Sequence, residues 1–131
     1  DANHPTAITL NDSAFFYQHP SLNLQETEID PSMVGHAKAL FLTTDMFSEP
    51  NSCQAARKAI IAAKDNQTKI ILALDMWLTI QTLSQPKQLE TVLPFCDLIL
   101  GYEEEFQALA NSQDTYLSLI HLRNLTHATI V

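Results

Sequence analysis

Lys69-Ile70-Ile71-Leu72-Ala73-Leu74-Asp75 and, further on, Asp97-Leu98-Ile99-Leu100-Gly101-Tyr102-Glu103-Glu104-Glu105-Phe106 decide how the rest of this chain is read. Each stretch is a short apolar run that ends on a polar residue or a glycine, with a helix-compatible segment after it. Short apolar runs alternating with helices imply a parallel sheet whose strands are buried on both faces. In such sheets ligands collect beyond the carboxyl ends of the strands. Asp75 and the turn from Gly101 to Glu105 both fall at that edge, so chemistry is expected there.

Working outward, Ala7–Leu10 and Ala14–Tyr17 are β-prone and separated by Asn11-Asp12-Ser13, a good turn, which predicts a hairpin. Gln18–Leu24 reads as a loop. Asp30-Pro31-Ser32 starts a short helix, with Asp30 as N-cap and Pro31 in its first position. Ala39–Thr43 is the next strand and Thr44–Pro50 a loop. Asn51 or Ser52 then caps a helix whose apolar face is Ala55, Ala56, Ala59, Ile60 and Ala63. Beyond Asp75, one or two helices run from Ser84 to about Pro94. Asp97–Leu100 is a strand, Glu103–Asn111 and Tyr116–Arg123 are helices, and Ala128–Val131 begins a strand. The chain reads as α/β with a parallel sheet, cut at both ends.

The 131 residues suffice for one domain with a real core. No apolar run approaches the roughly 18–20 residues of a membrane span, and no signal peptide is visible, so a cytoplasmic protein is expected. A net charge of −8 argues against nucleic acid, which is bound through lysine and arginine patches. Cys53 and Cys96 suggest reduced packing residues rather than a disulfide framework or a metal knuckle. Gly35 and Gly101 are the chain's two glycines, so it holds no glycine-rich phosphate loop.

Among residues that could carry chemistry, Asp75 follows its apolar run at a strand end; the alternative is a carboxylate hydrogen-bonded to nearby loop amides. Trp77 follows closely, as packing or as a binding surface. Glu103, Glu104 and Glu105 offer hard oxygen donors to Mg²⁺, or else form a solvated helix start stabilised by its dipole. His4, His19, His36, His121 and His127 do not pair at i, i+4 with another ligand, which argues against zinc. Ser21 and Ser48 have no histidine–aspartate arrangement near them in sequence.

Ala39-Leu40-Phe41-Leu42-Thr43-Thr44-Asp45-Met46-Phe47-Ser48-Glu49-Pro50-Asn51-Ser52 resembles the strand, loop and helix start of PfkB/ribokinase-type carbohydrate kinases. The 5-dehydro-2-deoxygluconokinases and 2-keto-3-deoxygluconokinases are nearest. The hairpin ending Phe16-Tyr17-Gln18 resembles their lid strand, and Cys96–Phe106 is similar to the strand and helix start that carry their Asn-x-x-Glu motif. The resemblance implies a three-layer Rossmann-like fold of the ribokinase type, present in part. Residues 1–24 would be the lid hairpin with its exit loop, and 30–131 a portion of the α/β core.

By that resemblance the activity is ATP-dependent phosphoryl transfer to a hydroxyl of a sugar or sugar acid, with ATP and Mg²⁺ as cofactors. A homodimer through the lid hairpin is the expected assembly. The Asn-x-x-Glu motif, which organises Mg²⁺ and the nucleotide phosphates, falls on Tyr102 and Glu105. Tyr17 and Gln18 fall on the lid's Tyr-Arg pair. Ala73, Asp75 and Trp77 fall on the strand motif Asp-x-Asn/Asp-x-Arg. Substrate contacts are therefore expected from Tyr17, Gln18, Asp75 and Trp77, nucleotide contacts from Tyr102 and Glu105, and the metal at Glu105. Both arginines of these motifs are replaced, which removes the bidentate donors suited to a carboxylate or phosphate.

The family's catalytic aspartate and anion hole lie in a Gly-Ala-Gly-Asp motif nearer the C-terminus, and this sequence does not contain it. The segment alone should therefore be inactive. Two other readings compete: a non-catalytic, kinase-derived module that binds a sugar, a nucleotide or a protein, and an unrelated Rossmann-like domain.

Overall fold

The computed structural model describes residues 6–10, 13–17, 24–47, 49–74 and 86–131, with the first two segments described as backbone. Strands β1 (Thr6–Leu10) and β2 (Ser13–Tyr17) pair antiparallel, from Thr6 opposite Tyr17 to Leu10 opposite Ser13. This is the expected hairpin, with Ser13 joining the strand rather than the turn.

The core portion begins with a 3-10 turn at Glu26–Glu28 and helix α1 (Pro31–His36). Asp30 caps α1 by accepting a 2.9 Å hydrogen bond from the Ser32 N–H, and Pro31 fills the first position, where no N–H is needed. Strand β3 (Ala39–Thr43) runs into a 3-10 turn, Thr44–Phe47, and then into α2 (Pro50–Asp65). Helix α2 starts earlier than Asn51 or Ser52 implied. Pro50 occupies its first position, Glu49 is the N-cap, and the Ser52 hydroxyl donates back to the Glu49 carbonyl at 3.2 Å. The proline rule applied at Pro31 holds here as well, and it outweighs the ranking of capping side chains.

Strand β4 (Lys69–Ala73) follows, then α3 (Pro86–Glu90), a 3-10 turn at Leu93–Phe95, and β5 (Leu98–Leu100). Helices α4 (Glu103–Leu109) and α5 (Thr115–Leu125) lead to β6 (Thr129–Ile130). Asp114 caps α5 by accepting from the Leu117 N–H at 2.9 Å. The Arg123 guanidinium donates to the carbonyls of Thr126 and Ala128 and so holds the turn into β6.

β3, β4, β5 and β6 lie in that order in one parallel sheet. Chain order and spatial order coincide, so every right-handed crossover carries its helix to the same face. The burial pattern agrees. Leu42, Ile70, Leu72 and Ile99 point into a core with Ala56, Ile60 and Ala63 of α2, Phe106 and Leu109 of α4, and Leu122 of α5. The run of buried alanines in α2 lets that helix sit close to the strands.

The register sets Phe41, Ile71 and Leu98 in a row on the opposite face, where Phe41 is 58% exposed. Burial on both faces, as the apolar runs implied, is therefore corrected. One face is packed, and the residues of the other are half-buried or exposed. Strands with apolar residues on both sides are made for a double-covered sheet, and within the described residues the second cover is missing.

Candidate functional site

Past the ends of the strands, hydrogen bonding continues for one residue. The Leu74 N–H donates to the Leu100 carbonyl at 2.8 Å, and the Gly101 N–H to the Val131 carbonyl at 3.0 Å. The backbone then leaves the sheet and turns into α4 at Tyr102. Gly101 is required here by space rather than by backbone angle, since neither glycine has a positive φ. A Cβ on Gly101 would lie 3.0 Å from Glu105 Oε2, 3.1 Å from Leu74 Cδ1 and 3.2 Å from Leu74 Cβ.

That close approach seats Glu105. Its side chain folds back beneath the first turn of α4, is 3% exposed, and accepts a 2.7 Å hydrogen bond from the Tyr102 N–H through Oε2. A carboxylate this buried needs donors or a cation. No cation pairs with it among the described residues. Tyr102 contributes through its backbone, and its phenol is 77% exposed. The Tyr102 side chain therefore has no part in seating Glu105, because a main-chain N–H makes the contact. Glu103 and Glu104 are exposed, as a solvated helix start should be; Glu103 bonds to Gln107 and Thr115.

Thr44, at the carboxyl end of β3, was not singled out in the sequence. It is fully buried, and its Oγ1 has no hydrogen-bond partner among the described residues. A threonine after an apolar strand looks like ordinary strand composition, and an unmet hydroxyl leaves no trace in sequence. Its neighbours Thr43 and Asp45 bond to each other through their side chains.

Of the expected site residues, Tyr102 and Glu105 are brought together at the sheet edge. Tyr17 lies in β2, described there as backbone. Gln18, Asp75 and Trp77 fall outside the described residues. Among the described residues, no three His, Cys, Asp or Glu side chains gather as a metal-binding group, and no helix is long and apolar enough to cross a membrane.

Both thiols are free and buried. Burial pushes the Cys96 thiol up to about 12; Lys64 offsets part of this and Asp97 adds to it. The Cys96 thiol also donates to the Val92 carbonyl at 3.4 Å. It is a packing group at neutral pH, not a nucleophile.

No family model matches this chain, and no curated protein does. Solved structures do. A PfkB protein from Polaromonas sp. JS666 superimposes with a TM-score of 0.72 at 14% identity, over 95% of this chain and 46% of its own. A protein described as Ribokinase II from E. coli, in complex with ATP and Mg²⁺, gives 0.72 at 12% identity, over 96% of this chain and 44% of its own. Adenosine kinase from Sinorhizobium meliloti gives 0.69 at 16% identity, over 82% of this chain and 34% of its own. At these identities the likeness establishes the fold. The chain has the α/β architecture of PfkB/ribokinase-type kinases and spans less than half the length of each of these neighbours.

Proposed function

We propose that this chain is the central portion of a cytoplasmic PfkB-type sugar kinase, which transfers the γ-phosphoryl group of ATP to a hydroxyl of a sugar or sugar acid. The observation that carries the reading is Glu105: a buried carboxylate at the carboxyl edge of the sheet, hydrogen-bonded by one backbone N–H and paired with no cation among the described residues. Such a group has acceptor capacity left for the water shell of a hard cation. Glu105 would hold Mg²⁺ through bound water, and the ion would neutralise charge on the nucleotide phosphates. The neighbour solved with ATP and Mg²⁺ supports that assignment by its fold. Tyr17 and Gln18 would close over the sugar from the hairpin, and Asp75 and Trp77 would line its pocket. The base and anion hole would come from the part of the fold that this chain does not span.

A second reading rests on the same carboxylate. The bond from the Tyr102 N–H to Glu105 closes the first turn of α4, which is a sufficient structural role for a glutamate at that position. A kinase-derived binding module would keep the cap and have no use for the charge.

Glu105→Gln separates the two, because the amide oxygen still accepts from Tyr102 while the charge is gone. The test is magnesium-dependent ADP release by the native polypeptide over a panel of sugars and sugar acids. The kinase reading expects activity in the parent and a loss of roughly 10²-fold or more in Glu105→Gln, the scale of losing a key electrostatic group. Glu105→Ala should lose activity and stability together. A folded parent that turns over no acceptor would favour the binding module.

A further inference from the structure

Gly101 carries no functional group, yet three elements meet on it. Its N–H donates to the Val131 carbonyl at 3.0 Å, and the carbonyl of the residue before it, Leu100, accepts from the Leu74 N–H at 2.8 Å. The sheet holds this point of the backbone from both sides, so it cannot retreat from a crowded side chain. Where a Cβ would stand, Glu105 Oε2 lies 3.0 Å away and Leu74 Cδ1 3.1 Å away. Both side chains are buried. The remainder of a fold that this chain spans by less than half can only cover them further, so the crowding does not depend on what else lies over the sheet edge.

Oε2 is also the oxygen that accepts from the Tyr102 N–H at 2.7 Å. The peptide carrying that N–H begins at Gly101, so one residue sets the donor and leaves the space for its acceptor. A carboxylate is planar and rigid, and fixing Oε2 restricts Oε1 as well. Oε1 is the oxygen left to accept from the water shell of a cation. We propose that Gly101 is a positioning residue of the magnesium–nucleotide site, acting through Glu105: by having no side chain it lets the carboxylate stand where Oε2 is capped and Oε1 is left over. The inference rests on the kinase reading above. A methyl group at 101 would force the carboxylate to give by a few tenths of an ångström. Misplacement by about 1 Å costs about 10²-fold, so this shift should cost roughly three- to tenfold in whatever depends on the Glu105 charge. A glycine kept only for packing would lower stability without favouring that charge.

The experiment has a ligand-free arm and a loaded arm, both on the native polypeptide. In the first, the Tyr102 amide is followed by NMR after ¹⁵N-tyrosine labelling and assigned through Tyr102→Phe; its proton should shift in Gly101→Ala and stay in place in Gly35→Ala. In the second, ATP is titrated calorimetrically with and without Mg²⁺ into wild type, Gly101→Ala, Glu105→Gln and the double variant. Gly101→Ala should weaken binding roughly three- to tenfold with Mg²⁺, leave it unchanged without Mg²⁺, and add no further loss to Glu105→Gln. Gly101→Ala/Glu105→Asp guards against a single variant that does not fold, because the shorter acid makes room for the methyl; the methyl should lower the urea midpoint less there than in wild type. An unmoved Tyr102 amide, an equal loss with and without Mg²⁺, or a methyl equally harmful in the Asp background overturns the positioning role and leaves the kinase reading standing. A wild type whose ATP binding ignores Mg²⁺ contradicts the kinase reading itself, and the positioning role falls with it.

Discussion

Replacing Gly101 by alanine adds one methyl group where the sheet edge meets the start of α4. It would meet Glu105 Oε2 at 3.0 Å and Leu74 at 3.1 and 3.2 Å, and both side chains are buried and cannot swing away. Overpacking of this kind costs about 1–3 kcal/mol. The backbone is not in the left-handed region, so alanine also gains about 0.4–1 kcal/mol by restricting the unfolded chain. The expected net loss is about 1–2 kcal/mol. With a urea dependence of about 1–3 kcal/mol/M, that lowers the unfolding midpoint by roughly 0.5–1 M with an unchanged slope. Gly35→Ala is the internal control. Its Cβ would lie 2.6 Å from the side chain of Asn66, which is exposed but gives way only by losing its 2.8 Å hydrogen bond to the Ala62 carbonyl. That loss costs about 0.5–1.5 kcal/mol and offsets the gain of about 1 kcal/mol when a helical glycine becomes alanine. Gly35→Ala should change stability by less than about 1 kcal/mol in either direction. If Gly101→Ala unfolds at the same urea concentration as wild type, the packing argument for the seat of Glu105 is wrong.

Thr44→Val removes a buried hydroxyl that has no partner among the described residues and keeps the shape of the side chain, so a gain of about 1 kcal/mol is expected in urea unfolding. A loss of that size would mean that the hydroxyl is bonded. Gln67 ends α2 with φ at 59°, and the Thr68 N–H bonds back to the Ala63 carbonyl. Gln67→Gly should therefore raise the melting temperature, by relieving about 1 kcal/mol of left-handed strain. Cys96 gives a pH signature. Its folded-state value is raised from 9.0 to about 12, so its contribution to stability is full below pH 9 and is lost as the pH rises towards 12. The stability gap between wild type and Cys96→Ala should narrow over that window; a constant gap would contradict the assigned burial.

The parallel sheet was legible because β4 and β5 are unbroken apolar runs that stop at polar residues, a pattern that the spacing of turns and helices repeats. The place of Glu105 beyond a strand end was legible, from a glycine followed by an acidic helix start. Three things were not. Periodicity marks a strand as apolar on both sides but does not show what covers it, so the exposed row at Phe41 came from the structure. The start of α2 was misplaced because Asn51 and Ser52 look like caps while Pro50 fixes the first turn. The unmet hydroxyl of Thr44 is a property of its surroundings alone.

The central claim is that Glu105 serves a magnesium–nucleotide site, and calorimetric titration of ATP into the native polypeptide, with and without Mg²⁺, tests it most directly. The account predicts that Mg²⁺ tightens ATP binding and that Glu105→Gln removes most of that dependence while the protein stays folded. ATP binding that is absent, or identical in the variant at every Mg²⁺ concentration, would contradict it.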